Sequence, residues 1–180
     1  MSYGGKDFAN AFRTVRKNTI QVAEDIPESS YSFSAAPDVR TVAQMLTHTA
    51  ISTRIFQEIT NTPVLTSLVG FDFLAVRDRA AAEEAKPRTK AEILDLLRSE
   101  GEKFASWLET LAPEFLGVGI TDPDGKTVRS RFERLLGAKE HEMHHRAQLM
   151  LIERQLGIVP HITRQFNERV AQLRAAKANA

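Results

Sequence analysis

The residues best suited to chemistry are five histidines, at positions 48, 141, 144, 145 and 161. His141 and His145 stand four residues apart in the stretch AKEHEMHHRAQLMLIERQLG, residues 138–157. If that stretch is helical, the two imidazoles lie about 40° apart around the helix and one turn apart along it. Two imidazoles so placed can bind one metal ion, which is why this spacing recurs in helical metal sites. His144 points further round the helix and is poorly placed to share that ion.

The same stretch contains H-E-x-x-H, the zinc-protease motif in which the glutamate, here Glu142, acts as general base. An extended form of the motif would place Gly at position 148 and His at position 151, where this chain has Gln148 and Leu151. A downstream carboxylate, Glu153 or Glu168, would then have to be the third ligand. Such proteases generally hold the peptide against the edge of a sheet, and the sequence predicts almost no strand. A metalloprotease is therefore a distant alternative.

The third metal ligand predicted from spacing is His48. It stands three residues after Met45 and four before Ser52, so on a helix it projects with the apolar stripe into a bundle. Helical bundles build metal sites from inward side chains on facing helices. Three neutral imidazoles would leave positions on the ion open for water or substrate. The alternative, that the histidines are surface or hydrogen-bonded core residues, stays open at this point.

Four long stretches with helical periodicity carry these residues. In the first, apolar side chains recur at helical spacing from Phe8 to Val22, and the pattern stops at Pro27. The second is predicted to begin with Asp38 as its N-cap and to end before Pro63. The histidine at position 48 thus falls in the first half of the second helix.

The third and fourth helices each begin with a capping box, in which a Ser or Thr and a Glu three residues later satisfy each other's backbone amides. These pairs are Thr89 with Glu92 and Ser130 with Glu133. Gly157 is the residue type favoured just past a helix end and closes the fourth helix. Both histidines of the H-x-x-x-H pair therefore belong to the fourth helix.

The remaining segments are predicted to connect the four long helices or to follow the last of them. Residues 64–89 are predicted to hold a short helix and a loop, the glycine-rich stretch 117–128 a small hairpin turning at Asp124-Gly125, and the end a short amphipathic helix from about Thr163. Four long helices with a strand-poor remainder predict an all-α fold, a four-helix bundle with a short additional C-terminal helix. We expect one domain spanning residues 1–180.

Composition narrows the class of protein. The chain has 180 residues, 42% hydrophobic and 26% charged, as in ordinary soluble globular domains. Its 24 basic and 23 acidic residues argue against a nucleic-acid partner. Cysteine is absent, so metal binding falls to His, Asp and Glu. No signal peptide and no apolar stretch near the ~20 residues of a membrane span are present, which predicts a cytoplasmic protein with no membrane partner.

Two blocks of the sequence resemble the DinB-like, DNA-damage-inducible superfamily. IPESSYSFSAAPDVRTVAQMLTHTA, residues 26–50, is similar to its first signature, in which an I/L-P-E connection and a P-x-x-R-T/S-V helix start lead to a histidine. HEMHHRAQLMLIERQLG, residues 141–157, is similar to its second signature, H-x-x-x-H-R-G-Q opening a leucine-rich helix that ends in R-x-x-G. Ala147 stands where the family usually has Gly, a small change that favours the helix. Elsewhere the resemblance covers only the helical topology, of DinB/YfiT type.

The resemblance implies a four-helix bundle, commonly homodimeric, that holds one divalent metal ion. Carried onto this chain, the metal ligands are His48, His141 and His145. Zn or Ni are the first expectations for the ion, and three imidazoles also suit Fe, Co, Cu or Mn.

The resemblance also changes the roles expected of neighbouring residues on the fourth helix. Glu142 becomes an ordinary helix residue, either solvated or paired with Arg146 four residues on. Gln148 lies closer to the metal face, where it could hydrogen-bond a ligand imidazole or a metal-bound water. The alternative for Gln148 is a polar side chain at the bundle edge.

Family members with assigned activities are largely thiol-dependent, including glutathione-, mycothiol- and bacillithiol-linked transferases and a maleylpyruvate isomerase. The resemblance therefore implies a metal-dependent transferase or isomerase acting on a small molecule, with a low-molecular-weight thiol as cofactor. The alternative is a stress-associated metal-binding protein without catalysis.

A homodimer is also consistent with the fourth helix, which is apolar on two sides. One side shares the face of the histidines, and the opposite side faces either another helix of the bundle or a partner subunit. The residues of that opposite side are Phe132, Leu136, Met143, Ala147 and Met150.

Overall fold

Four long helices pack by their apolar faces in the computed structural model, which describes residues 3–61 and 66–179. They are α1 (Gly5–Asp25), α2 (Val42–Asn61), α4 (Lys90–Glu109) and α6 (Arg131–Gln155), and the shorter helices are α3 (Phe73–Glu84), α5 (Pro113–Gly117) and α7 (His161–Ala178). Helices α1 and α2 each pack against both α4 and α6. The predicted all-α four-helix bundle is confirmed.

The core consists of two apolar clusters, one toward each end of the bundle. The first includes Val22, Leu46, Ile93, Leu97 and Leu149, and the second includes Phe8, Phe12, Phe104, Leu108 and Leu135. Each fully buried side chain of this size contributes about 1.5–3 kcal/mol of transfer free energy. Along α1 and α6, the buried polar residues Arg16, Glu142 and His145 lie between the residues of the two clusters.

Both predicted capping boxes form. The Thr89 backbone N–H donates to Glu92 Oε2 over 2.7 Å, and the Ser130 backbone N–H donates to Glu133 Oε2 over 2.7 Å. Gly157 follows α6 with φ 77°, a left-handed conformation that glycine adopts without steric cost. The starts of α4 and α6 and the end of α6 thus follow from signals that are local in the sequence.

The start of α2 differs from the prediction. Asp38 is not its N-cap but a turn residue with φ 61°, a conformation that Asp tolerates better than most residues. The helix begins at Val42, and Thr41 caps it: the Gln44 N–H donates to Thr41 Oγ1 and the Thr41 N–H donates to Gln44 Oε1. A Thr-x-x-Gln capping box therefore replaces the isolated aspartate. Pro63, predicted to bound the helix, lies outside the described residues.

The connecting elements match the prediction more closely than the last helix does. β1 (Gly119–Thr121) and β2 (Val128–Ser130) pair antiparallel as the expected hairpin. The C-terminal helix α7 is not short: it spans 18 residues, beginning directly after Pro160, a residue that favours helix initiation. Its apolar Phe166 and Leu173 remain 66% and 62% exposed. None of the helices in the described ranges combines the length and the apolar character that a membrane crossing requires.

Candidate metal centre

The three predicted histidines meet between α2 and α6. His48 Nε2 lies 3.0 Å from His141 Nε2, and His145 Nε2 lies 3.2 Å from the same atom. Two nitrogens that are each about 2.1 Å from one ion stand about 3.0 Å apart at an octahedral angle and about 3.4 Å apart at a tetrahedral angle. The separations in the cluster therefore fit three ligands of a single ion.

The hydrogen bonds of the outer ring nitrogens determine which way the lone pairs face. His48 Nδ1 lies 2.5 Å from Glu84 Oε1, and a carboxylate can only accept. His145 Nδ1 lies 2.8 Å from Gln148 Oε1, again an acceptor. In the neutral form both imidazoles thus carry their proton on Nδ1, and both Nε2 lone pairs are directed at His141.

His141 cannot satisfy both of these lone pairs. Its Nδ1 is buried and has no hydrogen-bond partner within the described part of the chain. With a proton on Nε2, His141 could donate to only one neighbour, and with the proton on Nδ1 all three Nε2 lone pairs would converge. Buried polar atoms are normally paired. A divalent cation would accept all three lone pairs at once, so the residues present fit a metal ion.

Burial keeps the three imidazoles neutral. It lowers the pKa of His48 despite the opposing effect of Glu84, and it lowers the pKa of His145 despite the bond to Gln148. Burial, together with the neighbouring His145 and His48, lowers the pKa of His141 to about 3. Burial opposes ionisation of Glu84, but Arg40 and His48 hold the pKa of that carboxyl below its usual value. Neutral imidazole is the form that binds metals, so the site is in its ligand form at neutral pH.

A cavity of about 520 Å³ opens beside the cluster, a volume typical of small-molecule sites. His145 and Gln148 of α6 contribute to its lining, as do Gln44 in the first turn of α2 and Arg40 just before that helix. Asp38, Val39, Met45, Ala81, Glu84 and Ala85 complete the lining. A small molecule could therefore reach the edge of the histidine cluster.

The structure corrects the expectation for Glu142. This residue is neither solvated nor paired with Arg146: it is 1% exposed, and both of its oxygens accept from Arg16 of α1, over 2.8 and 3.0 Å. Arg146 instead donates to the Val15 carbonyl oxygen. Arg16, the partner of Glu142, is 126 positions away in the sequence, so no local pattern could have predicted this ion pair. With both oxygens held by Arg16, Glu142 cannot act as the general base of a protease on the histidine face.

The remaining candidates lie apart from the cluster. His144 is exposed, although its ring contacts that of His145. His161 is buried at the start of α7, where its Nε2 lies 3.2 Å from Asn18 Oδ1. Glu153 is fully buried, and Glu168 is exposed on α7. Among the described residues, the only three or more potential ligands that come within 4.8 Å of one another are His48, His141 and His145.

Sequence reasoning missed Glu84. It lies 36 positions after His48, at the end of a helix that was predicted only as part of a loosely defined connection. No motif marks it, since glutamates near the end of an exposed helix are common and Glu83 directly precedes it. Gln148 is exposed, and its Oε1 lies 2.8 Å from His145 Nδ1, so its position is compatible with both of its predicted alternatives.

Comparisons with known proteins give a family and a fold. The family model described as the DinB superfamily matches residues 11–149. YfiT from Bacillus subtilis, described as a probable metal-dependent hydrolase with an unusual four-helix bundle topology, superposes with a TM-score of 0.65 at 19% identity, over 86% of this chain and 88% of its own. A DinB-like protein, YjoA, from Bacillus subtilis superposes with a TM-score of 0.61 at 23% identity, over 83% of this chain and 91% of its own. An uncharacterised protein from Clostridium difficile superposes with a TM-score of 0.65 at 13% identity, over 86% of this chain and 98% of its own. No curated protein matches.

Proposed function

Because the chain belongs to the DinB superfamily, we propose that it is a metal-dependent, thiol-linked transferase or isomerase whose single divalent ion is held by His48, His141 and His145. The observation that carries this proposal is the convergence of three Nε2 atoms, with separations of 3.0 and 3.2 Å from His141 Nε2, which cannot all be satisfied by the one proton that His141 can offer. A purely structural cluster would instead pair its lone pairs with donors of the chain.

The ligand set narrows the choice of ion. Three imidazoles without a carboxylate or thiolate suit Zn or Ni first, and Fe, Co, Cu or Mn as alternatives, whereas Mg and Ca prefer oxygen ligands. When bound, such an ion would lower the pKa of a thiol in an open coordination position, so that the nucleophilic thiolate forms near neutral pH.

The cavity beside His145 is the proposed substrate site. Its donors are the Arg40 guanidinium and the side-chain amides of Gln44 and Gln148, which suit the carboxylate or carbonyl oxygens of a thiol cofactor and its electrophile. Gln148 also holds the His145 ring through Nδ1. These three side chains would thus bind and orient the reactants, and the histidines would hold the ion at the edge of the cavity.

A hydrolase is the second candidate. YfiT, which shares the fold, is described as a probable metal-dependent hydrolase. The specific observation in its favour is that three neutral imidazoles add no negative charge to the ion, which is the ligand type that favours activation of water. A stress-associated metal-binding protein without catalysis is the outcome if neither chemistry is found.

The proposed assembly is a homodimer. On the outer side of α6, Phe132 and Leu136 pack against the core of their own bundle, but Met143 and Ala147 are exposed. These residues and the exposed Phe166 and Leu173 of α7 are apolar side chains that a second copy would cover. Size-exclusion chromatography with light scattering tests this, and a monomer at micromolar concentration would contradict it.

The first experiment measures metal content by plasma mass spectrometry. We expect about one ion per chain in the wild type, loss of the ion in His48→Ala, and retention in His144→Ala, a histidine that neighbours the cluster without joining it. Retention in His48→Ala would remove that histidine from the site.

The second experiment distinguishes the chemistries on cobalt-substituted protein. A change in the visible spectrum on addition of low-molecular-weight thiols, together with turnover of thiol and electrophile pairs, supports the transferase or isomerase. Cleavage of ester or amide substrates without any thiol effect would favour the hydrolase. A spectrum indifferent to both, without turnover, would leave the metal-binding protein.

A further inference from the structure

Helix α3 brings one carboxylate to the histidine cluster. Most of its side chains are exposed, and Val76 is its single buried residue. Glu84, its last residue, is different, because its side chain is only 13% exposed and lies against His48 of α2. The end of α3 thus contributes to the site although the helix adds little to the core.

Both oxygens of Glu84 are engaged. Oε1 accepts from His48 Nδ1 over 2.5 Å, and Oε2 accepts from Arg40 Nε over 2.8 Å. Arg40 therefore holds the oxygen that the imidazole leaves free, and its Nη2 lies 3.5 Å from Oε1. A carboxylate fixed at both oxygens can hold the His48 ring in one orientation.

The three histidines differ in this outer support. His48 has a charged carboxylate, His145 has the neutral amide of Gln148 from the next turn of its own helix, and His141 Nδ1 has no partner in the described ranges. His141 and His145 share one helix, so α6 already sets their spacing. His48 comes from a different helix, and its ring needs a separate constraint.

We propose that Glu84 is a positioning residue for the metal centre: it holds His48 in the tautomer that keeps Nε2 unprotonated and directs that atom at the site. This rests on the proposed function in so far as the cluster binds a metal. Without the carboxylate, the His48 ring could rotate or move its proton to Nε2, and either change would remove it as a ligand through Nε2.

The competing explanation is that Glu84 merely ties α3 to α2. The chain offers a matched control, since Glu58 of α2 accepts from Arg79 of α3 over 2.6 Å on the exposed side of the same helix pair. Glu58→Ala removes a carboxylate that links the same two helices while leaving the His48 bond in place. A structural role would make the two variants behave alike.

The experiment compares wild type, Glu84→Ala, Glu84→Gln and Glu58→Ala in the full chain. Zn affinity is measured by competition with a chromophoric chelator, and the His48 tautomer is read in metal-free protein from long-range ¹H–¹⁵N spectra. We expect Glu84→Ala to weaken Zn binding by about 10–100-fold and to populate the Nε2–H form of His48. Glu84→Gln, which keeps an acceptor but loses the charge, should fall between, and Glu58→Ala should match wild type.

Two results would overturn the proposal: Glu84→Ala binding Zn as tightly as wild type, or Glu58→Ala losing as much affinity as Glu84→Ala. A wild-type protein that binds no ion would instead refute the proposed function. The tautomer of His48 would still test the proposed role of Glu84 in that case. A His48 that is already protonated on Nε2 in the wild type would contradict the proposal that Glu84 keeps this atom unprotonated. Thermal unfolding of each metal-free variant identifies any that fails to fold.

Discussion

Helix α6 carries two buried polar clusters on adjacent residues, and they differ in how completely the protein satisfies them. Glu142 is held at both oxygens by Arg16, whose guanidinium also donates to the carbonyl oxygens of Leu97 and Thr49. His141, the preceding residue, faces two other imidazoles and has an unpaired Nδ1 among the described residues. The Glu142 cluster therefore has the hydrogen bonding of a structural ion pair, whereas the converging lone pairs of the histidine cluster make it a candidate site for a metal ion.

The two clusters both use residues of the H-E-x-x-H motif, but they face different neighbouring helices. Adjacent helical residues point about 100° apart, so His141 turns to α2 while Glu142 turns to α1. In a protease the glutamate would have to act as general base beside the metal ion, but here Glu142 is bound by Arg16. The contrast between a closed and an open cluster can be tested by mutation.

The largest effect is expected from breaking the closed cluster. Glu142→Ala leaves the Arg16 charge buried and unpaired, which should lower the free energy of unfolding by about 3–5 kcal/mol. Urea unfolding measures this. The double variant Arg16→Met/Glu142→Leu removes both charges and should recover most of the loss, so a double variant as unstable as the single one would contradict the ion-pair account.

The open cluster should behave in the opposite way. His141→Ala removes an unsatisfied polar group and should leave the metal-free protein about as stable as wild type. Zn at 100 times its Kd should stabilise wild type by about 2.7 kcal/mol and the variant by much less, as measured by thermal unfolding with and without Zn. Equal stabilisation of both proteins would show that the ion binds elsewhere.

Glu153 offers a third case for the comparison, because its buried carboxyl lacks hydrogen-bond partners among the described residues but belongs to neither cluster. Neither of its oxygens has a hydrogen-bond partner within residues 3–61 and 66–179, and burial, with Asp25 nearby, raises the pKa of its carboxyl to about 7. A raised folded-state pKa means that the folded protein keeps a proton that the unfolded chain loses near pH 4.5. Stability should therefore fall as the pH rises from about 4.5 to 7.

Glu153→Gln tests this account of the isolated carboxyl. The variant should be more stable than wild type at pH 8, by about 2 kcal/mol, and should show little difference at pH 4.5. Urea unfolding at the two pH values measures it. A difference that is the same at both pH values would contradict the assignment to the carboxyl.

The smallest effect is expected at His144, whose ring contacts that of His145 although it belongs to neither cluster. His144→Ala should change the free energy of unfolding by less than about 0.5 kcal/mol, because its side chain is exposed. It should leave Zn affinity unchanged in the chelator competition. A loss of affinity comparable to that of His141→Ala would enlarge the cluster by one residue.

Much of the bundle could be predicted from short-range patterns. The capping boxes at Thr89 and Ser130 and the stop at Gly157 depend on backbone groups within four residues, so the starts of α4 and α6 and the end of α6 follow from the sequence. The start of α2 was predicted wrongly, because Asp38 and Thr41 are both acceptable caps and only the packed chain chooses between them. The length of α7 was underestimated, since its exposed face lacks a clear periodic signal.

For the site, the sequence by itself determined the pair of histidines on one face of α6, because a four-residue spacing on a helix is a local geometric fact. It also indicated His48, through spacing and through resemblance. Only the tertiary structure decided that Glu84 supports His48 and that Arg16 closes off Glu142. Those partners lie 36 and 126 residues away in the chain, and such contacts depend on how the helices pack, which no local pattern encodes.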